Sequence, residues 1–234
     1  MSLALQSLRV PHDEAPAGLV AIPVRTPLVR PGDDIVATIA QAVRGIARPG
    51  DVVAISESAV AIAQGEFVAA ELVRPSRLAY ALSRRAGPLA TMSQPESVQL
   101  VIDRAGLWKV IYATLLQATA RLGGRRGAFY EVLGEDIAAF DGYTGTMPPY
   151  ERAIVFSPSD PQGTARDFRE RTGIECAVVD ANDLGKAKVL GTSDGVRAEV
   201  VAAALLHNPH GNSDEQTPVV VLKWRGQEPN LLCC

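Results

Sequence analysis

Oxygen-bearing and basic side chains are concentrated in one stretch of the chain, residues 176–195 (CAVVDANDLGKAKVLGTSDG). They follow a short apolar run and are Asp180, Asn182, Asp183, Lys186 and Lys188. Carboxylate and amide oxygens suit a hard cation such as Mg²⁺ or Mn²⁺, and lysines suit phosphate. The stretch therefore indicates a metal and phosphate site. A simpler interpretation stays open, in which the Asp and Asn side chains merely build a turn by bonding their own backbone.

Three further polar loops adjoin predicted strands, at residues 25–34, 140–150 and 208–217. Loops held by a rigid scaffold are the usual places for binding residues. None of them contains a GxxxxGK[ST] phosphate loop or a strand-linked GxGxxG motif, so a bound nucleotide would be held by another arrangement. His207 and His210 are three residues apart, but Pro209 lies between them, which favours a helix-end cap by His207 over joint metal binding.

Composition limits the class of protein and its partners. The 234 residues, 47% of them hydrophobic, suit one large soluble domain or two small lobes. A formal net charge of −3 gives no general surface for nucleic acid, and no apolar run is long enough to span a membrane. The N-terminus lacks the pattern of a signal peptide, and the three cysteines have no zinc-ligand spacing. We therefore expect a cytoplasmic protein.

The elements that would position these loops alternate along the chain. Helices are predicted at residues 35–46, 77–86, 95–105, 162–172 and 195–207. Strands are predicted at residues 19–24, 51–56, 107–112, 152–156, 174–179 and 218–224, with a β-like hairpin over residues 60–68 and a loop over residues 180–193. Strands separated by helices predict layered packing of helices on a sheet, and leave the direction of the strands open.

The order of four segments resembles the coenzyme F420-0:L-glutamate ligase family. The segments are residues 22–35 (IPVRTPLVRPGDDI), 50–68 (GDVVAISESAVAIAQGEFV), 154–185 (IVFSPSDPQGTARDFRERTGIECAVVDANDLG) and 205–223 (LLHNPHGNSDEQTPVVVLK). The resemblance implies an α+β fold of two intertwined lobes with mixed or antiparallel sheets over residues 19–225, between an N-terminal extension (1–18) and a C-terminal tail (226–234). It also implies a homodimer that uses GTP and Mg²⁺ or Mn²⁺ to join L-glutamate to a carboxylate of coenzyme F420-0 or a related acceptor.

The resemblance also implies site residues. Its metal positions fall on Asp141, Asn182, Asp183 and Asn212, and its nucleotide positions on Thr26, Pro27, Leu28, Val29, Ser56 and Thr144. The family's Thr-Ser-Lys segment and a second lysine four residues later fall on Ser56, Glu57, Ser58 and Ile62, so both lysines are missing. We assign their phosphate contacts to Lys186 and Lys188. The alternative is a catalytically inactive paralogue that binds a ligand or partner.

Overall fold

The protein is built on a mixed sheet, as a computed structural model shows. The structure describes residues 18–85, 91–125, 127–134, 137, 148–182, 185–211 and 216–224. Its strands are β1 (Leu19–Val24), β2 (Val52–Ser56), β3 (Phe67–Ala69), β4 (Ala153–Val155), β5 (Glu175–Asn182), β6 (Lys186–Thr192) and β7 (Val219–Trp224). Five of them form one sheet in the order β1-β7-β2-β5-β6, in which β2 and β5 are parallel and the other neighbours antiparallel. Strands β3 and β4 form a separate antiparallel pair.

The helices occupy the segments between the strands. They are α1 (Ile35–Ala42), α2 (Glu57–Gln64), α3 (Arg77–Ser83), α4 (Pro95–Ala105), α5 (Leu107–Leu122), α6 (Ala128–Leu133), α7 (Pro161–Thr172) and α8 (Ala198–Ala204). The combination of helices with a mixed sheet and an antiparallel pair confirms the α+β class expected from the sequence. Among the described residues, no helix has the length and apolar character needed to cross a membrane.

The five-stranded sheet is covered by helices on both faces. On one face Ala177 and Val179 pack with Val201 of α8 in a buried cluster. The other face carries Val178 and its register partner Gly191. There α7 approaches so closely that a Cβ added at Gly191 would lie 2.5 Å from the carbonyl carbon of Pro161. Burial on both sides explains why the central strands are runs of valine and isoleucine rather than alternating sequences.

The chain divides into two compact units. The first comprises residues 1–29, 33–60 and 160–234 and contains the five-stranded sheet with α1, α7 and α8. The second comprises residues 30–32 and 61–159 and contains the β3–β4 pair and helices α3 to α6. The core of the second unit is built by apolar side chains of these helices, among them Ala79, Val98, Val101, Val110, Ala113 and Leu133.

Three segments differ from the sequence-based predictions. The β-like hairpin predicted at residues 60–68 is wrong over its first half, because Glu57–Gln64 forms helix α2. The strand predicted at residues 107–112 is also wrong, since the segment begins helix α5. The loop predicted at residues 180–193 is instead the end of β5 and all of β6. Short apolar runs fit a buried strand and a buried helix equally well, so packing partners decide between them.

Candidate functional site at one end of the sheet

The topology brings several predicted site residues to the same end of the five-stranded sheet. Strands β1, β2 and β5 finish at this end, while β6 and β7 begin there. We call it the site end. The predicted residues that lie on or directly beyond it are Thr26, Pro27, Leu28, Val29, Ser56, Asn182, Lys186 and Lys188. Loops that leave the carboxyl ends of neighbouring strands are the usual binding position in sheets of this kind.

The Thr26–Val29 loop is attached to the loop that precedes β7. The backbone N–H of Thr26 donates to the carbonyl of Gln216 at 3.2 Å. The Thr26 side chain is buried, and its hydroxyl donates to the carbonyl of Pro27 at 2.9 Å. Val29 contributes its side chain to the core, whereas Pro27 is exposed. This loop therefore offers a ligand mainly backbone groups, as nucleotide-binding loops commonly do.

Ser56 ends β2 in the middle of the site end. Its N–H donates to the carbonyl of Pro218 at 2.8 Å, and its register partner in β5 is Val179, the residue before Asp180. Helix α2 begins at the next residue, Glu57. Ile62, which stands where the resemblance expects the second family lysine, is 7% exposed. The segment after β2 therefore supplies no cation for phosphate.

The hairpin formed by β5 and β6 supplies positive charge at the site end. Asp180 lies opposite Lys188, and Asn182 lies opposite Lys186. Because directly opposed residues of an antiparallel pair point to the same side, these four side chains share one face. We call this surface the hairpin polar face. The alternate residues belong to the opposite face, where Ala181, Ala187 and Val189 pack on the core cluster below α8.

The charges on the hairpin polar face favour an anion. Lys186 and Lys188 are exposed, and Asp180 is partly buried. Burial raises the pKa of the Asp180 carboxyl, and the positive charge of Lys188 opposes that rise. A divalent cation bound at Asn182 alone would face the ammonium group of Lys186, whereas a phosphate group would be attracted to both lysines. The hairpin is thus suited to phosphate, with metal ions bridged through that phosphate.

The loop before β7 holds a buried histidine that the sequence interpretation left outside the site. His210 is 8% exposed, and its Nδ1 lies 3.3 Å from the carbonyl oxygen of Thr217. Since a carbonyl only accepts, Nδ1 carries the proton and Nε2 presents a lone pair. Among the described residues, Nε2 has no hydrogen-bond partner. Burial lowers the pKa of His210 to about 4, which keeps the ring neutral near pH 7. Nothing in the local sequence beyond its place in a polar loop signals this residue.

Several predicted ligands lie outside the described residues. They are Asp141, Thr144, Asp183 and Asn212. Within the part of the chain that the structure describes, no group of three or more His, Cys, Asp or Glu side chains could hold a metal ion. The structure therefore locates one of the four predicted metal ligands, Asn182, and the fit of the full set stays a prediction.

A mixed α+β fold with polar loops collected at one end of its sheet is typical of an enzyme that acts on a small molecule. Comparison with known proteins specifies the kind of enzyme. The sequence model of the F420-0:gamma-glutamyl ligase family matches residues 23–179, and the chain belongs to this family. It is also 26% identical over 235 aligned positions to the coenzyme F420:L-glutamate ligase of Methanopyrus kandleri, an alignment that covers 87% of this chain and 84% of that protein. The family supports an amino-acid ligase activity.

Proposed function

We propose that this chain is a ligase that uses GTP and Mg²⁺ or Mn²⁺ to join the amine of L-glutamate to a carboxylate of coenzyme F420-0 or a related acceptor. The observation that carries the proposal is the hairpin polar face, which puts Lys186 and Lys188 at the same end of the sheet as Thr26 and Ser56. Family membership and the printed name of the Methanopyrus kandleri relative support the substrates. A cytoplasmic homodimer, expected from the sequence, is part of the proposal.

The reaction needs activation because a carboxylate is a poor acyl donor. Transfer of the γ-phosphoryl group of GTP to the acceptor carboxylate would give an acyl phosphate and GDP. The glutamate amine would then attack the acyl carbon, form the amide, and release phosphate and a proton. Lys186 and Lys188 would hold the phosphates, and the backbone of residues 26–29 would contact the nucleotide. Bound metal neutralises phosphate charge, with Asp141, Asn182, Asp183 and Asn212 as its proposed protein ligands.

The alternative is a catalytically inactive paralogue that binds a ligand or a partner protein. The observation that favours it is the segment after β2, where Glu57 begins the helix and buried Ile62 replaces the expected lysine. The two proposals differ over whether the lysines of the hairpin replace the charge that this segment lacks.

Calorimetric titration with GTP, with and without Mn²⁺, separates the proposals. A ligase should bind GTP in a metal-dependent way. It should also release phosphate when both glutamate and coenzyme F420-0 are present, with a product heavier than the acceptor by one glutamyl residue. Metal-dependent binding without turnover would favour the inactive paralogue. An absence of nucleotide binding at every metal concentration would refute the ligase proposal.

The contribution of the hairpin polar face is tested by the double variant Lys186→Ala/Lys188→Ala. Each charge-assisted hydrogen bond contributes about 1.5–3 kcal/mol, so losing both should weaken GTP binding roughly a hundredfold or more. The matched control is Lys223→Ala, which removes a lysine near the opposite end of the same sheet, where Nζ lies 3.1 Å from Asp51 Oδ2. Unchanged GTP affinity in the double variant would remove the hairpin from the nucleotide site.

A further inference from the structure

Helix α5 exposes a line of large apolar side chains. Trp108 is 80% exposed, Tyr112 60% and Leu115 62%. Their spacing of four and then three residues places them on one side of the helix, and exposed Thr119 continues the line. We call these four residues the α5 stripe. At 1.5 Å per residue the stripe is about 16 Å long.

The opposite side of α5 is also apolar, and it is already covered. Val110 and Ala113 are buried in the core of the second unit. The charged residues of the helix are Lys109 and Arg121, and Lys109 directs its Nζ to the carbonyl of Leu133. A helix that is apolar on all sides is normally buried on all sides. Helix α5 therefore has a packing partner on one side and a surface suited to a second partner on the other.

We propose that the α5 stripe is an interface between two copies of this chain, with their α5 helices antiparallel across a two-fold axis. The stripe is symmetric about its midpoint, between residues 113 and 114. An antiparallel copy therefore sets Trp108 against Thr119 of the second copy, and Tyr112 against Leu115 of the second copy. The largest side chain meets the smallest, which is the self-complementarity that a two-fold interface requires. This inference specifies the homodimer of the proposed function and does not depend on ligase activity.

The size and chemistry of the surface fit a protein partner of the same kind. Together with Leu107, which is 41% exposed, the stripe offers roughly 500 Å² per copy, most of the ~800 Å² per partner in a standard interface. Aromatic residues are enriched and lysine and glutamate depleted at the centre of such interfaces. The stripe carries no charge, and the chain has a net charge of −3, so an anionic lipid surface is disfavoured.

Sedimentation equilibrium of the full chain without substrates tests the interface. We expect a dimer at micromolar concentrations and a dissociation constant at least about a hundredfold higher for Leu115→Glu, because the symmetry buries the new charge twice. Leu72→Glu is the matched control, since Leu72 is 79% exposed in the same unit but lies outside α5. Circular dichroism establishes that both variants are folded.

Cross-linking tests the antiparallel register even if Leu115→Glu fails to fold. In a chain carrying Cys233→Ser and Cys234→Ser, the double variant Trp108→Cys/Thr119→Cys should form a disulfide-linked dimer under mild oxidation. Trp108→Cys alone should not, because the two copies of that position are about 16 Å apart along the helix axes, far beyond disulfide reach.

Two results would overturn the proposal. One is a wild-type chain that stays monomeric at all concentrations, whether or not it sediments with lipid vesicles. The other is a dimer that neither Leu115→Glu nor the cysteine pair affects in the stated way. A dimer without ligase activity would count against the proposed function and leave the interface intact.

Discussion

Replacement of Gly191 by alanine should destabilise the protein through the contact between β6 and α7. An added Cβ would lie 2.5 Å from the carbonyl carbon of Pro161 and 2.6 Å from the backbone nitrogen of Gln162. Ordinary contacts of a Cβ begin near 3.4 Å, so the start of α7 must retreat by nearly 1 Å. Backbone atoms at both positions leave no flexible side chain to yield. Overpacking of this kind costs about 1–3 kcal/mol.

The retreat would also disturb a pair of hydrogen bonds. The Gln162 side chain donates to the carbonyl of Thr192 at 2.5 Å and accepts from the N–H of Thr192 at 3.1 Å. Each such bond contributes about 1 kcal/mol. We therefore expect Gly191→Ala to lower the free energy of unfolding by roughly 2–5 kcal/mol, a large part of the ~5–15 kcal/mol typical of a domain.

Urea unfolding followed by circular dichroism at 222 nm measures this change as a lower midpoint. Gly123→Ala is the matched control, because Gly123 has a φ of −91° and its added Cβ would meet only the carbonyl of Ala120, at 3.6 Å. The double variant Gly191→Ala/Gln162→Ala should lose less than the sum of the two single losses if the clash acts through these bonds. A Gly191→Ala protein within about 0.5 kcal/mol of wild type would refute the reasoning.

Three further predictions concern titratable groups. The N–H of Ala37 and then Arg171 hold the pKa of Asp34 below its usual range, so Asp34→Asn should be less stable than wild type near pH 7; this difference, measured by urea midpoints, should disappear as the pH falls through the folded pKa. His210 titrates near 4 when folded and near 6.5 when unfolded, so up to about 3 kcal/mol of stability should be lost as the pH falls between these values; His210→Gln should flatten that slope, and an unchanged slope would contradict the assignment. Burial raises the pKa of Cys176, so in a variant whose two C-terminal cysteines are serine no thiol should react with a disulfide reagent until the chain unfolds; fast reaction would contradict the burial.

The parts of the fold that the sequence predicted are those with a strong local signal. Strand β1 and helix α4 have the predicted bounds, and α4 begins with a proline and ends before a glycine. Helix α5 was mistaken for a strand because Trp, Val, Ile and Tyr are common in strands. The decisive contacts of α5 are those of Val110 and Ala113 with the core of the second unit. Those partners come from other helices, and no local pattern specifies them.

The candidate site shows the same division. The sequence indicated that Asp180, Asn182 and the two lysines are suited to metal or phosphate. It did not show that residues 180–192 form the end of one strand and the next strand, although the alternation of Lys186, Ala187, Lys188 and Val189 has the period of a half-buried strand. The Gly-Lys sequence suggested a turn, and the pairing of β6 with β5 overrode it.

The sequence by itself determined the kinds of side chain available, the apolar strands and the family to which the chain belongs. Only the tertiary structure decided which of those side chains meet. Thr26 bonds Gln216 because β1 pairs with β7, and Lys188 faces Asp180 because β6 folds back on β5. The buried lone pair of His210 likewise depends on its contact with Thr217. These positions depend on strand register, which is fixed by the sum of contacts across the sheet and not by any one segment.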